Sequence, residues 1–305
     1  MIAKFFKKTK PINTLIVLVL LTIVFIITTV SFTSTEFTLT NLIKKLILFA
    51  FLVATLFIIN FIVRKNGLTK NNSYVILLVV FCFAIFPFST LNSQLLGTHF
   101  LLLLAYRRIY SLRTTKDIKD KIFDASFWIG IATLIYPWSF LYLTLVFFAV
   151  FYFNKLTLKN TIIPLVGFIT PIFIYGVYLL LIDGFDTFDL KLVSSLSILS
   201  YNSFKLLIPI ALISGFLIWA IFPTTIKIIA VNNEFRASWF LLLMHLLISV
   251  FVIIPSPIKN GSEFLFLFFP TAIIFTNYLQ IIEEKWFKEV FLYFFLAVTI
   301  TVYLL

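Results

Sequence analysis

Residues 1–32 read MIAKFFKKTKPINTLIVLVLLTIVFIITTVSF, a basic start followed by a long apolar run. At 1.5 Å of rise per residue, about 20 helical residues cross the roughly 30 Å hydrocarbon core of a bilayer. The run is longer than the apolar part of a typical signal peptide, and no A-x-A cleavage site follows it. We therefore expect a membrane span that the protein retains.

Similar apolar runs fill the rest of the 305-residue chain, which is 62% hydrophobic and 12% charged. Soluble domains average about 25% charged residues. Because the bilayer core holds no water, only helices or closed barrels satisfy their backbone there, and continuous runs of this length indicate helices. The predicted fold class is all-α, a polytopic transmembrane bundle of about 11 spans, roughly 9–12, in one integral membrane domain over 1–305 without a soluble domain.

Several of the predicted spans are short or contain proline, which kinks or breaks a helix. The spans at 93–106, 123–136 and 138–153 are the short ones. The full set is 14–33, 46–63, 73–90, 93–106, 123–136, 138–153, 161–182, 204–222, 237–254, 263–281 and 287–305. The prolines in or beside them are Pro87, Pro137, Pro164, Pro171, Pro209 and Pro270.

Lysine and arginine are distributed unevenly between the loops. A cytoplasmic N-terminus places 19 of the 24 on the cytoplasmic side and 5 on the other. This asymmetry follows the positive-inside rule. We therefore predict a multi-pass membrane protein with its N-terminus in the cytoplasm and its C-terminus on the opposite side of the membrane. The net charge of +12 then reflects topology, and we expect no nucleic-acid partner.

Charged residues inside a span are functional candidates, since a charge at the bilayer centre costs several kcal/mol. The predicted span interiors carry none, which argues against an ion pump, a proton-coupled carrier or a voltage sensor. Four acids near the outer ends of spans remain as polar candidates: Asp183, Asp186, Asp189 and Glu263. The alternative for the three aspartates is a solvated loop, and the alternative for Glu263 is a helix-start residue favoured by the helix dipole.

No metal site and no cofactor are predicted. The aspartate triplet lacks the ligand number and the turn glycine of a calcium loop. Two histidines in different spans, His99 and His245, are too few for a zinc site. We expect both to make hydrogen bonds between packed helices.

The densest polar segment is YRRIYSLRTTKDIKDKIFD, residues 106–124, on the predicted cytoplasmic side. Its bases are candidates for contact with anionic lipid headgroups or with a partner subunit, and the alternative is that they only set the topology. These candidates are Arg107, Arg108, Arg113 and Lys116. Asp124 is a further candidate to pair with Arg107 or Arg108 across a helical hairpin.

Two stretches resemble the scaffold of GT-C membrane glycosyltransferases: DASFWIGIATLIYPWSFLYLTLVFFAVFYF at 124–153 and GSEFLFLFFPTAIIFTNYLQ at 261–280. The whole chain also resembles an uncharacterised family of bacterial polytopic envelope membrane proteins. That resemblance implies a multi-pass protein of the bacterial inner membrane, with its C-terminus in the periplasm. The GT-C resemblance implies a cavity open to the outer leaflet for polyprenyl-phosphate sugars. It also implies a catalytic acid in the first outer loop, where Glu36 is the acid present.

Three functions remain open at this point. The favoured one is a non-catalytic subunit of a multiprotein envelope-biogenesis or protein-export assembly, with other integral membrane proteins as partners and membrane lipids around it. The second is a GT-C-like glycosyltransferase that uses a polyprenyl-linked sugar, with Glu36 as base. The third is a transporter or flippase of a hydrophobic substrate.

Overall fold

The computed structural model describes residues 2–33, 38–184, 192–195, 197, 199–231 and 233–305, and every regular element in these residues is helical. The α-helices are α1 (Ile2–Phe6), α2 (Pro11–Phe32), α3 (Leu39–Lys65), α4 (Tyr74–Ile85), α5 (Ser93–Ser111), α6 (Ile118–Ile135), α7 (Leu143–Tyr152), α8 (Leu158–Leu181), α9 (Phe204–Val231), α10 (Asn233–Ile253), α11 (Leu265–Ile281) and α12 (Lys285–Leu304). Short 3-10 helices cover Pro87–Thr90, Pro137–Tyr142, Leu199–Tyr201 and Ser262–Phe264.

Seven helices of the described part are long and apolar enough to cross a membrane: α2, α3, α8, α9, α10, α11 with its preceding 3-10 turn, and α12. Shorter apolar helices cover Tyr74–Ile85 and Pro137–Tyr152. Each predicted span falls on a helix, or on a helix with its adjoining 3-10 turn. An all-helical protein with several candidate membrane spans is therefore confirmed, whereas the count of about 11 stays a prediction.

Proline acts in two ways in these helices. Pro87 and Pro137 each begin a 3-10 helix, so the chain changes helix type at those points. Other prolines lie inside α-helices, where each removes one backbone hydrogen bond. These are Pro164 and Pro171 in α8, Pro209 and Pro223 in α9, and Pro270 in α11.

The chain divides into two compact units. The first contains Met1–Leu96, Ser197–Asn233 and Ile258–Leu305. Its α4 is buried along its whole length, and nearly all of α11, which packs against α4, is buried as well. Asn277 of α11 donates to the carbonyl oxygen of Leu68 at 3.0 Å, so the core of this unit contains satisfied polar groups. A single membrane domain over 1–305 stays a prediction.

The second unit contains Gly97–Leu196 and Glu234–Pro257, and in it α6 packs along α8 at very short range. A Cβ atom added at Gly130 would lie 2.5 Å from both the carbonyl oxygen of Phe168 and Cγ of Pro171. A Cβ atom added at Gly167 would lie 2.7 Å from the carbonyl oxygen of Phe123. Small residues at these crossings allow the two backbones to approach, as is common in membrane helix pairs.

We predict that Gly167→Ala destabilises the second unit by about 1–3 kcal/mol, because the new methyl group collides with rigid backbone. The matched control is Gly176→Ala in the same helix, where an added Cβ meets nothing within 4 Å. That control should be neutral or stabilising by up to about 1 kcal/mol, from helix propensity alone. Thermal unfolding followed by circular dichroism in detergent measures both. Equal stability of the two variants would contradict the packing described.

Candidate functional site

Glu263 is buried among its neighbours within the first unit. It lies in the 3-10 helix Ser262–Phe264 just before α11, and its side chain is 0% exposed. The hydroxyl of Tyr201 donates to Oε1 at 2.6 Å, and the backbone N–H of Gly261 donates to Oε2 at 2.9 Å. Both carboxylate oxygens therefore have partners in the chain itself, which offsets the cost of removing the carboxylate from water.

Gly261 is needed for one of these two bonds. Its φ of +96° lies in the left-handed region, which side chains other than glycine rarely adopt. A Cβ atom there would also lie 2.7 Å from Cδ2 of Leu206. Glycine therefore lets the backbone N–H at this position reach the carboxylate of Glu263.

Lys259 is the basic neighbour of this carboxylate. It is half-buried, and its Nζ lies 5.2 Å from the centre of the Tyr201 ring. Burial lowers the pKa of the Lys259 ammonium, and the nearby Glu263 carboxylate acts in the opposite direction. We call Tyr201, Lys259, Gly261 and Glu263 the Glu263 cluster.

Neighbouring hydrogen bonds connect the Glu263 cluster to the beginning of α5. The side-chain amide of Asn92 donates to Oγ of Ser262 at 3.3 Å, and its Oδ1 accepts from the backbone N–H of Leu95 at 3.0 Å. Ser262 in turn donates through its N–H and its hydroxyl to Oδ1 of Asn260, at 3.1 and 2.6 Å. The network therefore connects the segments 92–95, 199–201 and 259–264.

This geometry determines what Glu263 can do. A general base must reach the proton it removes at hydrogen-bond distance. The Glu263 carboxylate is enclosed, and its two oxygens accept hydrogen bonds from Tyr201 and Gly261. The arrangement therefore fastens two chain segments before α9 and α11 and offers no open carboxylate to a substrate.

A second buried polar group lies in the second unit, around His245 of α10. The hydroxyl of Tyr110 and Nδ1 of His245 lie 3.1 Å apart, and the ring of Tyr106 lies 4.2 Å from the histidine ring. The hydroxyl of Ser249 donates to the carbonyl oxygen of His245 at 2.9 Å and pairs with the hydroxyl of Tyr142 at 2.9 Å. His245 therefore joins helices, as its sequence predicted, and His99 is buried in the same unit.

The predicted cytoplasmic bases divide between structural and exposed positions. Arg108 pairs with Asp124 at 2.7 Å, which joins α5 to α6. Lys121 donates to the carbonyl oxygen of Ser111 at 3.0 Å, at the end of α5. Arg107 is half-buried, whereas Arg113 and Lys116 are exposed in the turn between these helices. Their contact with lipid or a partner stays a prediction.

Within the described part of the chain, the remaining acidic candidates are not seen to come together with Glu263. Glu36, Asp186 and Asp189 lie outside the described residues. Asp183 is exposed just after α8 and belongs to the second unit, whereas Glu263 belongs to the first. Within the part of the chain that the structure describes, no group of three or more His, Cys, Asp or Glu side chains could hold a metal ion.

Sequence reasoning identified Glu263 but missed its partners. The Asn260–Gly261 pair indicates a turn, and that is the local signal for the backbone donor. Tyr201 lies 62 residues earlier in the chain, and nothing in the pattern connects it with Glu263.

A family model matches residues 1–305, that of DUF6427, a family of unknown function. The chain belongs to this family. No curated protein and no solved structure matches the chain. Membership of DUF6427 agrees with the expected uncharacterised family in general terms, whereas these comparisons show neither the GT-C likeness nor the link to the bacterial envelope.

We predict that Glu263→Ala destabilises the first unit by about 2–4 kcal/mol, because it leaves the Gly261 N–H and the Tyr201 hydroxyl without an acceptor. Glu263→Gln should stay within about 1 kcal/mol of the wild type. Its amide oxygen can accept from Gly261 while its NH₂ group donates to the Tyr201 hydroxyl oxygen.

Cys82 provides the measurement, because this free thiol is fully buried in α4 of the same unit. Its reaction with a fluorogenic maleimide during heating in detergent reports unfolding. Tyr201→Phe should lower the midpoint temperature of this unfolding. Its matched control is Tyr293→Phe, at an exposed position of α12. Wild-type midpoints for both Glu263→Ala and Tyr201→Phe would refute a stabilising role of the cluster.

Proposed function

We propose that this chain is a non-catalytic, multi-pass subunit of a multiprotein assembly in the bacterial inner membrane, serving envelope biogenesis or protein export. Its partners in this proposal are other integral membrane proteins. The seven long apolar helices support the membrane location. The orientation, with the N-terminus in the cytoplasm, rests on the distribution of lysine and arginine.

The observation that carries the proposal is the state of the Glu263 carboxylate. It is fully buried, and both of its oxygens accept hydrogen bonds from the chain. If Glu263 served as a general acid or base, its carboxylate would have to reach a substrate at hydrogen-bond distance. Instead, Glu263 holds the segment 199–201 to the segment 259–264.

Two other polar contacts support the same interpretation. His245 is enclosed by tyrosines of its own unit, and Arg108 forms an ion pair with Asp124 between neighbouring helices. A buried polar side chain such as His245 is costly within an apolar helix unless it has a partner. Both contacts hold neighbouring helices against one another. These contacts suit a subunit whose role is to present a fixed surface to other membrane proteins.

The test combines co-purification with complementation in cells that lack the chromosomal gene. We expect the wild-type protein, extracted in mild detergent and analysed by mass spectrometry, to bring down the same integral membrane proteins in constant proportion. Glu263→Gln and Glu36→Gln should retain these partners and restore growth, because neither carboxylate carries chemistry in this proposal.

Two results would contradict the proposal. One is a monodisperse monomer of 35.3 kDa without partners. The other is a Glu36→Gln or Glu263→Gln protein that accumulates normally and fails to restore growth, which is the outcome a glycosyltransferase predicts. A Glu263→Ala protein that unfolds is uninformative about chemistry, and the glutamine variants are therefore the ones compared.

A further inference from the structure

A cavity of about 620 Å³ lies in the second unit between the first turns of α6 and α8. On the α6 side it is lined by Asp117, Lys119 and Asp120, and on the α8 side by Thr157 and Lys159. Its walls cannot separate easily, because α6 and α8 are in backbone contact further along at Gly167. It is therefore a fixed groove at the ends of two packed helices.

Four charged side chains line this groove, and they consist of two carboxylates and two ammonium groups. All of them are exposed: Asp117, Lys119, Asp120 and Lys159. Among the residues that the structure describes, none of these four forms an ion pair within 4 Å, unlike the nearby Arg108 and Asp124. Charges of both signs thus line one groove without forming a close ion pair with each other.

The α6 side also offers backbone donors. The first N–H groups of a helix have no partner within the helix. Asp117, the residue before α6, makes no capping hydrogen bond with its side chain. The N–H groups of the first turn of α6 are therefore free of a side-chain cap, and with Lys119 beside them they favour a phosphate oxygen.

Exposed leucines beside the groove suit a position near lipid headgroups. Leu158 lines it, is 80% exposed and begins α8, one of the long apolar helices. Leu156, just before it, is 66% exposed. Polar groups and exposed leucines at the beginning of a spanning helix match the boundary between headgroups and acyl chains.

We propose that this groove binds the headgroup of a zwitterionic phospholipid, phosphatidylethanolamine, in the leaflet that faces the predicted cytoplasmic side. Lys119, Lys159 and the first turn of α6 take the phosphate. Asp117 and Asp120 take the primary ammonium, which donates hydrogen bonds to them. The acyl chains lie along the exposed leucines at the beginning of α8.

Charge complementarity selects this lipid over its alternatives. Phosphatidylglycerol carries only a negative charge and would meet two carboxylates without a compensating cation. Phosphatidylcholine has a quaternary ammonium, which carries no N–H to donate to Asp117 or Asp120. The groove thus offers two ammonium groups to the phosphate and two carboxylates to the primary ammonium of phosphoethanolamine.

The test is native mass spectrometry of the full-length protein in detergent, titrated separately with phosphatidylethanolamine, phosphatidylglycerol and phosphatidylcholine of the same acyl chains. We expect phosphatidylethanolamine to be retained at an apparent Kd at least about tenfold below that of the other two. Lys119→Ala combined with Lys159→Ala should weaken its retention about tenfold. Asp120→Asn should lower the preference for phosphatidylethanolamine and raise retention of phosphatidylglycerol.

The matched control lies at an exposed charge of the same unit that does not line the groove. Asp183→Asn should leave both affinity and preference at the wild-type values. Circular dichroism shows whether each variant is folded. If the double lysine variant does not fold, Asp120→Asn still tests the proposal. Retention of phosphatidylglycerol equal to or above that of phosphatidylethanolamine would overturn the proposal, as would a preference that survives the groove substitutions.

Discussion

A polar group removed from water must find its partner within the chain, and this constraint governs every level of the structure. In the hydrocarbon of a bilayer an unpaired backbone N–H or C=O costs several kcal/mol, so the apolar segments are helical throughout the described residues. The same constraint acts on side chains. It accounts for the two donors to Glu263 and for the tyrosine beside His245.

The apolar segments were predictable because their length and composition are properties of contiguous sequence. The ends of the helices were less predictable. Hydropathy indicates which residues lie in the bilayer, but it says little about where the helical backbone begins and ends. The span predicted at 46–63 lies within α3, which begins at Leu39 because Thr38 accepts a hydrogen bond from the N–H of Asn41. The span predicted at 204–222 lies within α9, which continues past Pro223 to Val231.

Contacts between polar side chains were predictable only where the two residues are close in sequence. Arg108 and Asp124 lie on consecutive helices, and a hairpin brings such residues together. Tyr201 and Glu263 are separated by 62 residues, and Tyr110 and His245 by 135, so their contacts depend on how distant helices pack. The groove between α6 and α8 was missed for the same reason, because its two walls belong to separate stretches of sequence.

The predicted orientation fixes the side of the membrane that each loop occupies, and cysteine accessibility in intact cells measures this directly. In a Cys82→Ala background, single cysteines would replace exposed residues at Lys44, Ser203, Lys116 and Lys159. An impermeant maleimide, given access to the periplasm, should label Lys44→Cys and Ser203→Cys before lysis, and the other two only after lysis. Labelling of Lys116→Cys or Lys159→Cys in intact cells would contradict the predicted orientation, and with it the leaflet assigned to the groove.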